Sequence, residues 1–584
     1  MRTVGQSVHS RMPPEFVLPD FVLLYLNKGS KYILDRHQCS IAEVMRSLDK
    51  MEVKMHTAKF FESKPSLAQQ QVTKQHIRSE WKPPPDDQVA RLNRLLRQSV
   101  LDEFVARPIK RNYTWLECKA RQWLKLHRND LVIVDADKGL GDCIMPRDWV
   151  DTELHRLLSS GFAKLAPDVY KARSFAARCL LECVTREAAY TGVVSDKKVQ
   201  FILHRIFKTG EGSFRLRVKL HKQPMTGRPI ANLSYSWLAP ACLFLCEVLA
   251  PIQNNLLHVV SSSFEFLQKM SKQVPSHFEI ATIDIKNLYP SINTDHLLEV
   301  LSNDVLRFYK GSRKAVFIVS LLQVVLQNQF IVHRGEAYQA FGIATGIPPG
   351  VFLANIYVSH VDTLVMENHA SQIAFFARLV DDSVVCASDI DSIQRTQNSW
   401  RPELVWEVAS RGGRLHEAEQ PVAFLDVQLS HCSGMMQWEA YRKPLNNYLY
   451  VPQASCHPKS IAASIIRGET HRMWRINKSK SDLMKHLRFF ASQFAKRGYS
   501  PTGTWKIICD ALAKLHGGSR PKVKKRQFFV PLRYSSSVPK RILKRCFDKQ
   551  ADSLRRIFSD NAAINLAFSV QKNLFRLHYH DNWE

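Results

Sequence analysis

The sequence predicts an α+β protein on three observations. Strand-like runs gather in the middle of the chain, helical periodicity fills both ends, and the composition supports a large core. Of 584 residues, 45% are hydrophobic and 10% aromatic, which describes a globular chain rather than a disordered one. That length carries several domains. Lys and Arg number 82 against 53 Asp and Glu, a formal net charge of +29. Such an excess points to a polyanionic partner, nucleic acid before an acidic membrane surface.

Residues 1–130 read as basic and helical, broken by KPPPDD (82–87), a linker or sharp turn. DLVIVDADKGLGDCIM (130–145) is an apolar strand, a glycine-bearing turn and a second short strand. Short strands at 200–240 carry a basic loop, RLRVKLHKQPMTGRPIANL, and 237–275 reads as helical. HFEIATIDIKNLYPSI (277–292) is a buried strand running into a turn. Helices are expected at 312–330 and 353–369, with the Gly/Pro loop FGIATGIPPG between them. Two further strands fall in 420–444, and from about 456 the pattern is helical and basic to the end.

The N-terminus lacks the apolar core of a signal peptide. The most apolar run, WLAPACLFLCEVLAPI (237–252), holds Pro240 and Glu247 and is too short to span a bilayer. A soluble protein without a membrane partner is expected. The pairs Cys179/Cys183 and Cys242/Cys246 lie four apart in apolar helical runs, without zinc-site spacing. Buried core thiols in a reducing compartment are expected.

FFARLVDDSVVCAS (375–388) sets two adjacent acids, Asp381 and Asp382, between apolar runs. Burying one unpaired carboxylate is costly, and two like charges are worse. Asp284 ends another apolar strand. If that strand pairs with the 375–388 hairpin, three acids meet at the strand ends. Hard oxygen donors of that kind suit Mg²⁺ together with substrate phosphate. The plainer alternative for each acid is turn chemistry or a salt bridge.

These pieces also carry a family resemblance. An apolar strand with Asp and then Tyr five residues on, a Gly-rich segment before a helix, and an xxDD hairpin resemble motifs A, B and C of reverse transcriptases, in that order. KLHK…GRPI (219–230), DIKNLYPSI (284–292), GIATGIPPGVFLANIY (342–357), RLVDDS (378–383), FLDVQL (424–429) and YRKPLNNYLYVPQASCHP (441–458) resemble the Penelope-like group, relatives of telomerase reverse transcriptase. LNKGSKYI (26–33) and DADKGLGD (135–142) resemble that group's N-terminal pieces. The likeness spans roughly residues 20–500.

The resemblance implies a right-hand polymerase with a basic helical N-terminal region (1–130), fingers (131–275), a palm with the metal site (276–455), and a thumb with a basic helical C-terminal region (456–584). It implies an RNA-directed DNA polymerase that takes an RNA template, a DNA primer and dNTPs. Two Mg²⁺ ions, replaceable by Mn²⁺, are implied on Asp284 and Asp381, with Asp382 a weaker ligand. Tyr289 is implied as a steric gate against the sugar 2′-hydroxyl. Arg228 is implied on the triphosphate with help from Lys219 and Lys222, while His221 reads as packing or template contact. Gly342, Gly346 and Pro348 shape the loop before helix 353–369, Gly346 lying close to the nascent base pair. Asn355 is left open between substrate contact and local capping. Asp426, Ser455 and His457 are expected to be structural, and Lys443 is either near the leaving group or a surface lysine.

The sequence departs from the group at Leu379, where an aromatic residue is usual, and at Thr345, where Met is common. No GIY-YIG nuclease pattern follows the thumb, so the endonuclease-lacking kind, or a truncated or domesticated copy, is expected. PKVKKR (521–526) reads as a nuclear-import cluster or a solvated linker. The competing functions are a non-catalytic RNA-binding scaffold and an RNA-templated RNA polymerase.

Overall fold

Two sheets occupy the middle of the chain. The computed structural model describes residues 8–10, 18–62, 82–412, 421–432, 434–517, 526–558 and 562–574. The expected hairpin at 130–145 is present as β2 (Leu131–Ala136) and β3 (Gly141–Pro146), and the short β1 (Val8–Ser10) runs parallel to β3. β4 is Phe162–Leu165. In β5 (Gly212–Lys219), Phe214, Leu216 and Val218 are buried and Arg215 and Arg217 point the other way, the period-2 pattern of a strand with one buried face. It pairs with β6 (Thr226–Asn232), which holds the GRPI motif. With β8 (Phe330–His333) and β9 (Glu336–Ala340) these form an eight-stranded sheet ordered β1-β3-β2-β5-β8-β9-β4, with β6 on β5. Residues on both sides of position 275 therefore share this sheet.

The second sheet is ordered β10-β11-β7-β12, from β7 (Glu279–Ile285), β10 (Ile373–Leu379), β11 (Asp382–Ala387) and β12 (Trp406–Arg411). All its pairings are antiparallel. Both faces are covered, so β7 reads as a nearly continuous apolar run. Ala281, Ile283 and Ile285 join the largest core, with the helices Thr294–Phe308, Arg313–Gln327 and Gly350–His369. Ile280, Val384 and Cys386 face a second core, built with the small sheet β13 (Val422–Phe424), β14 (Val427–Cys432), β15 (Met435–Ala440) and the helices Lys459–Ile476 and Lys480–Lys496. The helix Gly350–His369 is apolar around most of its circumference because it is enclosed.

The C-terminal end differs from its expected helical pattern. After the helix Pro501–His516 come β16 (Gln527–Arg533) and β17 (Ala563–Ser569), which pair in parallel. The helices Lys540–Lys549 and Ala551–Phe558 connect them. The signal was in QFFVPLR, where Phe528, Val530 and Leu532 alternate inward. This unit shares one core with the helices Ile41–Glu62 and Asp87–Glu103, through Val44, Leu48, Leu92, Leu96, Val530 and Leu543. KPPPDD is the expected break, and its Asp86 caps the second of those helices by accepting from the Val89 N–H at 3.0 Å.

None of the twelve cysteines is in a disulfide. Cys242 is buried as expected, but Cys183 is exposed and Cys179 and Cys246 are only half-buried. Their helical runs each have an outer face that the i,i+4 spacing could not orient. Among the described residues no helix is long and apolar enough to cross a membrane. Of the basic cluster 521–526, all but Arg526 lies outside the described residues.

Leu543 is fully buried where the chain's two ends meet. Leu543→Ala is expected to destabilise the fold by about 2–5 kcal/mol. Hydrogen exchange should show lost protection in the helix Asp87–Glu103 as well as in β16 and β17. Unchanged protection in the N-terminal helix would contradict a shared core.

Candidate active site

The register of the second sheet puts the acids together. Asp382, first in β11, lies directly opposite Asp284 in β7, and Glu407 in β12 lies opposite Asp284 on its other side. Opposed residues of an antiparallel pair have Cα atoms about 4.5–5.5 Å apart and point to the same face. Asp381 sits on the two-residue turn between β10 and β11, and its carbonyl accepts from the Ile285 N–H at 3.2 Å. Asp284, the adjacent pair Asp381 and Asp382, and Glu407, from three separate stretches of sequence, thus share one sheet end.

The turn is strained. Val380, a β-branched residue, has φ of 60°, a region such side chains avoid. It is held by Arg378, a residue the sequence reading passed over. Arg378 is fully buried, and its guanidinium forks onto Asp362 of the helix Gly350–His369, with contacts of 2.7–3.0 Å. It also donates to the Asn355 side-chain oxygen at 3.1 Å, the Asn355 carbonyl at 3.0 Å and the Val380 carbonyl at 2.9 Å. Asn355, in turn, donates to Gln253 at 3.0 Å. Its side chain is thus engaged inside the fold, and it neither caps the helix nor lines the cleft described below. An arginine inside an otherwise apolar strand was the available signal.

None of Asp284, Asp381 and Asp382 has an ion-pair partner among the described residues; Glu407 pairs with Lys286. Burial, then Asp381 and Asp382, push the Asp284 carboxyl up to about 6. Asp382 is also raised, by burial and then by Asp381, and is partly relieved by Lys443 and Lys138. Its side chain nevertheless reaches solvent. As the side chains stand, no three His, Cys, Asp or Glu among the described residues close around a point to hold a metal ion. The donor chemistry still fits a hard divalent cation. Three uncompensated carboxylates lie on adjacent backbone positions, two of them resisting ionisation.

Asp284 and Asp381 open into a cleft of about 780 Å³ whose opposite wall is basic. Lys219, Lys222 and Arg228 line it from β5, β6 and their connecting loop. Arg228 is 3.2 Å from buried Asp137, and Arg217 is 3.6 Å from Asp135, so acids behind the hairpin hold two of its arginines. The hairpin is anchored by Glu153, which accepts from the Gly227 N–H at 2.6 Å and pairs with Arg156. Burial, followed by Arg228, lowers the Lys219 ammonium. His221 also lines the cleft, its basicity lowered by burial and then by Lys138.

Tyr289 lies on the cleft floor in the single turn Leu288–Ser291. Burial, then Asp381, push its hydroxyl up to about 12, so it stays protonated. Two glycines of the Gly/Pro loop fix it. A Cβ on Gly342 would come 2.4 Å from the Tyr289 carbonyl, and one on Gly350 would come 3.3 Å from its ring. Gly346 does not line the cleft. Its Cβ would strike the Ala231 carbonyl at 2.6 Å, so packing against β6 accounts for that glycine. Thr345 does reach the cleft, and its carbonyl accepts from the Ala231 N–H. Pro348 lies half-buried in the same loop, and Leu379 packs half-buried on the second core.

The remaining candidates lie outside the cleft. Asp426 pairs with Arg472 and accepts from Ser263. Ser455 accepts from the Ile33 N–H at 2.8 Å and bonds His457 at 2.9 Å. Both arrangements are structural. Lys443 is exposed beside Asp382.

The animal helix-turn-helix domain family matches residues 449–508. No curated protein matches the chain. Among solved structures, telomerase from Candida albicans with the TWJ fragment of telomeric RNA is similar over 80% of this chain and 83% of its own, at 10% identity and a TM-score of 0.43. Apo telomerase from Candida tropicalis is similar over 90% and 93%, at 9% identity and a TM-score of 0.41. These likenesses are distant. In this chain's own topology, an antiparallel sheet presents acids at a hairpin turn, a basic hairpin faces them, and helices follow. That is the α+β order expected from the sequence.

Two outcomes test the site. Arg378→Met leaves Asp362 charged and buried without a partner, and should cost about 3–5 kcal/mol in denaturant unfolding; a loss below about 1 kcal/mol would show that the pair does not hold the turn. Asp284 binds its proton more tightly folded than unfolded, so it weighs against folding above about pH 6 and ceases to do so below about pH 4. In metal-free buffer Asp284→Asn should therefore melt higher than wild type at pH 8, and the gain should vanish at pH 4. Equal melting at both pH values would contradict the crowding of charge.

Proposed function

We propose that the chain is an RNA-directed DNA polymerase of the Penelope-like group, which transfers a nucleotide from a dNTP to a primer 3′-hydroxyl. The observation that carries this is a cleft into which Asp284 and Asp381 open, with Asp382 opposite Asp284 in the sheet and a buttressed Lys/Arg hairpin across from them. Asp284 and Asp381, with Asp382 beside them, would hold two Mg²⁺ ions, which when bound stabilise the attacking and leaving oxygens of phosphoryl transfer. Arg228 offers a planar fork and Lys219 a point charge to the triphosphate. The ring of Tyr289, set by Gly342 and Gly350, occupies the space beside Asp381 and disfavours a ribose 2′-hydroxyl. Expected domain boundaries at 130, 275 and 455 remain part of this proposal. So do the RNA template, the DNA primer and a nuclear site of action.

The helix-turn-helix match falls on Lys459–Ile476 and Lys480–Lys496, beyond the palm, where a thumb would grip a primer–template duplex. The net charge of +29 supports the same reading, and binding should weaken steeply with salt.

Primer extension on an RNA template with Mg²⁺ tests the proposal. Wild type should extend, preferring dNTPs. Asp381→Asn should lose at least about a hundredfold in rate, in keeping with loss of a metal ligand in such chemistry. Tyr289→Ala should admit rNTPs. Equal incorporation by wild type and Asp381→Asn, or none by either, leaves a non-catalytic RNA-binding scaffold. A wild-type preference for rNTPs defeats the gate.

A further inference from the structure

The helix Pro167–Tyr190 runs for 24 residues, about 36 Å, and carries apolar residues on two faces. Its inner face holds Ala177, Leu181 and Ala188, which join the largest core. Glu211, just before β5, locks that face in place. Arg178 pairs with the Glu211 carboxylate at 3.0 Å, and Ser174 and the Trp237 ring N–H donate to it at 2.8 and 2.7 Å. The direction of the outer face is thereby fixed. A surface helix ordinarily turns charge outward. At about 100° per residue, the outer face of this one is instead a row of Ala172, Phe175, Ala176, Cys179, Cys183 and Tyr190. Phe175 is 64% exposed and Tyr190 94%, and Ala172, Ala176 and Cys183 are exposed as well. A contiguous apolar row of this kind marks an interaction surface, where scattered exposed residues would not. None of the helix's residues lines the cleft.

One flank of that row is charged and balanced. Asp168, Lys171, Glu182 and Arg186 fall within about 60° of arc. Glu182 and Arg186 pair with each other at 2.6 Å. Asp168 and Lys171 are exposed, and no ion pair engages either among the described residues. Two charges of each sign thus stand together on a chain of net charge +29. Such a flank does not attract a polyanion, and it does not repel its own copy. The order of the residues is complementary to its own reverse. Measured from Ala177, Asp168 lies nine residues before and Arg186 nine after. Lys171 lies six before and Glu182 five after, and Phe175 two before and Cys179 two after.

We propose that this face docks on the same face of a second copy of the chain, the two helices antiparallel about a two-fold axis level with Ala177. The contact is then isologous, so every pairing occurs twice. Phe175 of each copy lies over Cys179 of the other. Along the flank, Asp168 meets Arg186 and Lys171 meets Glu182 across the seam. The pair already made within each helix becomes the middle of a four-charge chain of alternating sign. Parallel helices would carry the two charged flanks to opposite sides of the seam, where neither pairing forms. A contact along one helix sits at the low end of specific interfaces, and the basic surface elsewhere opposes association. The dimer is therefore reversible and micromolar. It does not depend on the polymerase reading.

Sedimentation velocity of the full chain, freed of nucleic acid, tests the dimer. Wild type should pass from monomer to dimer across a micromolar concentration series. Phe175→Glu should weaken the dimer at least about a hundredfold, because two apolar side chains leave the seam at once. Its melting temperature measured at a concentration where wild type is monomeric should be unchanged, because Phe175 is exposed. Lys171→Glu and Glu182→Lys should each weaken the dimer about tenfold, two attractions having become two repulsions. Mixed in equal parts, those two variants should recover most of the wild-type affinity, because every facing charge is then opposite. A wild type that stays monomeric throughout overturns the proposal and leaves the face to a different partner. So does a dimer that Phe175→Glu leaves intact, or a mixture that associates no more tightly than either variant alone.

Discussion

The site depends on a buried ion pair. Arg378 and Asp362 lie inside the protein, where each charge alone would be prohibitively costly. What makes the pair tolerable is that the guanidinium is satisfied throughout: by both carboxylate oxygens, by both ends of Asn355 and by the Val380 carbonyl. The arrangement ties the helix Gly350–His369 to β10 and to the turn itself. Without it, a valine at positive φ would have no reason to stay there, and Asp381 would not stay opposite the basic hairpin. Electrostatic precision at the cleft thus derives from a contact that never reaches it.

Crowded carboxylates, a lowered Lys219 and a protonated Tyr289 describe a cleft that stores opposing charge across a gap. Each wall is braced from behind by the opposite sign. Asp135, Asp137 and Glu153 stand behind the cations, and Lys286 stands beside Glu407. A triphosphate carrying divalent cations would complement both walls at once.

Sequence patterns revealed what local periodicity controls. The hairpin at 130–145, the alternation of β5, the strand at 277–285 and the central helices all declare themselves through spacing of apolar residues. Asp284 and the Asp381–Asp382 pair were conspicuous because charge interrupts an apolar run. What stayed hidden depends on partners distant in sequence. Gly346 was assigned to a nucleotide, yet the carbonyl it approaches belongs to Ala231 in β6. Asn355 was ambiguous until Arg378 appeared beside it. Lys138 looked like part of a glycine turn, and nothing local says that Asn447 donates to the Gly139 and Leu140 carbonyls of that turn. The strands β16 and β17 were missed because basic helical sequence surrounds a short alternating run.

The shared core of the two chain ends has a consequence for how the protein is made. The helices Ile41–Glu62 and Asp87–Glu103 leave the ribosome early, with apolar faces whose cover is β16 and the helix Lys540–Lys549. At about 5–20 residues per second, those faces wait roughly 20–90 s for their partner strand to be synthesised. Closure waits for that strand, and a nascent chain spends the interval with unfinished surface that a chaperone can cover first.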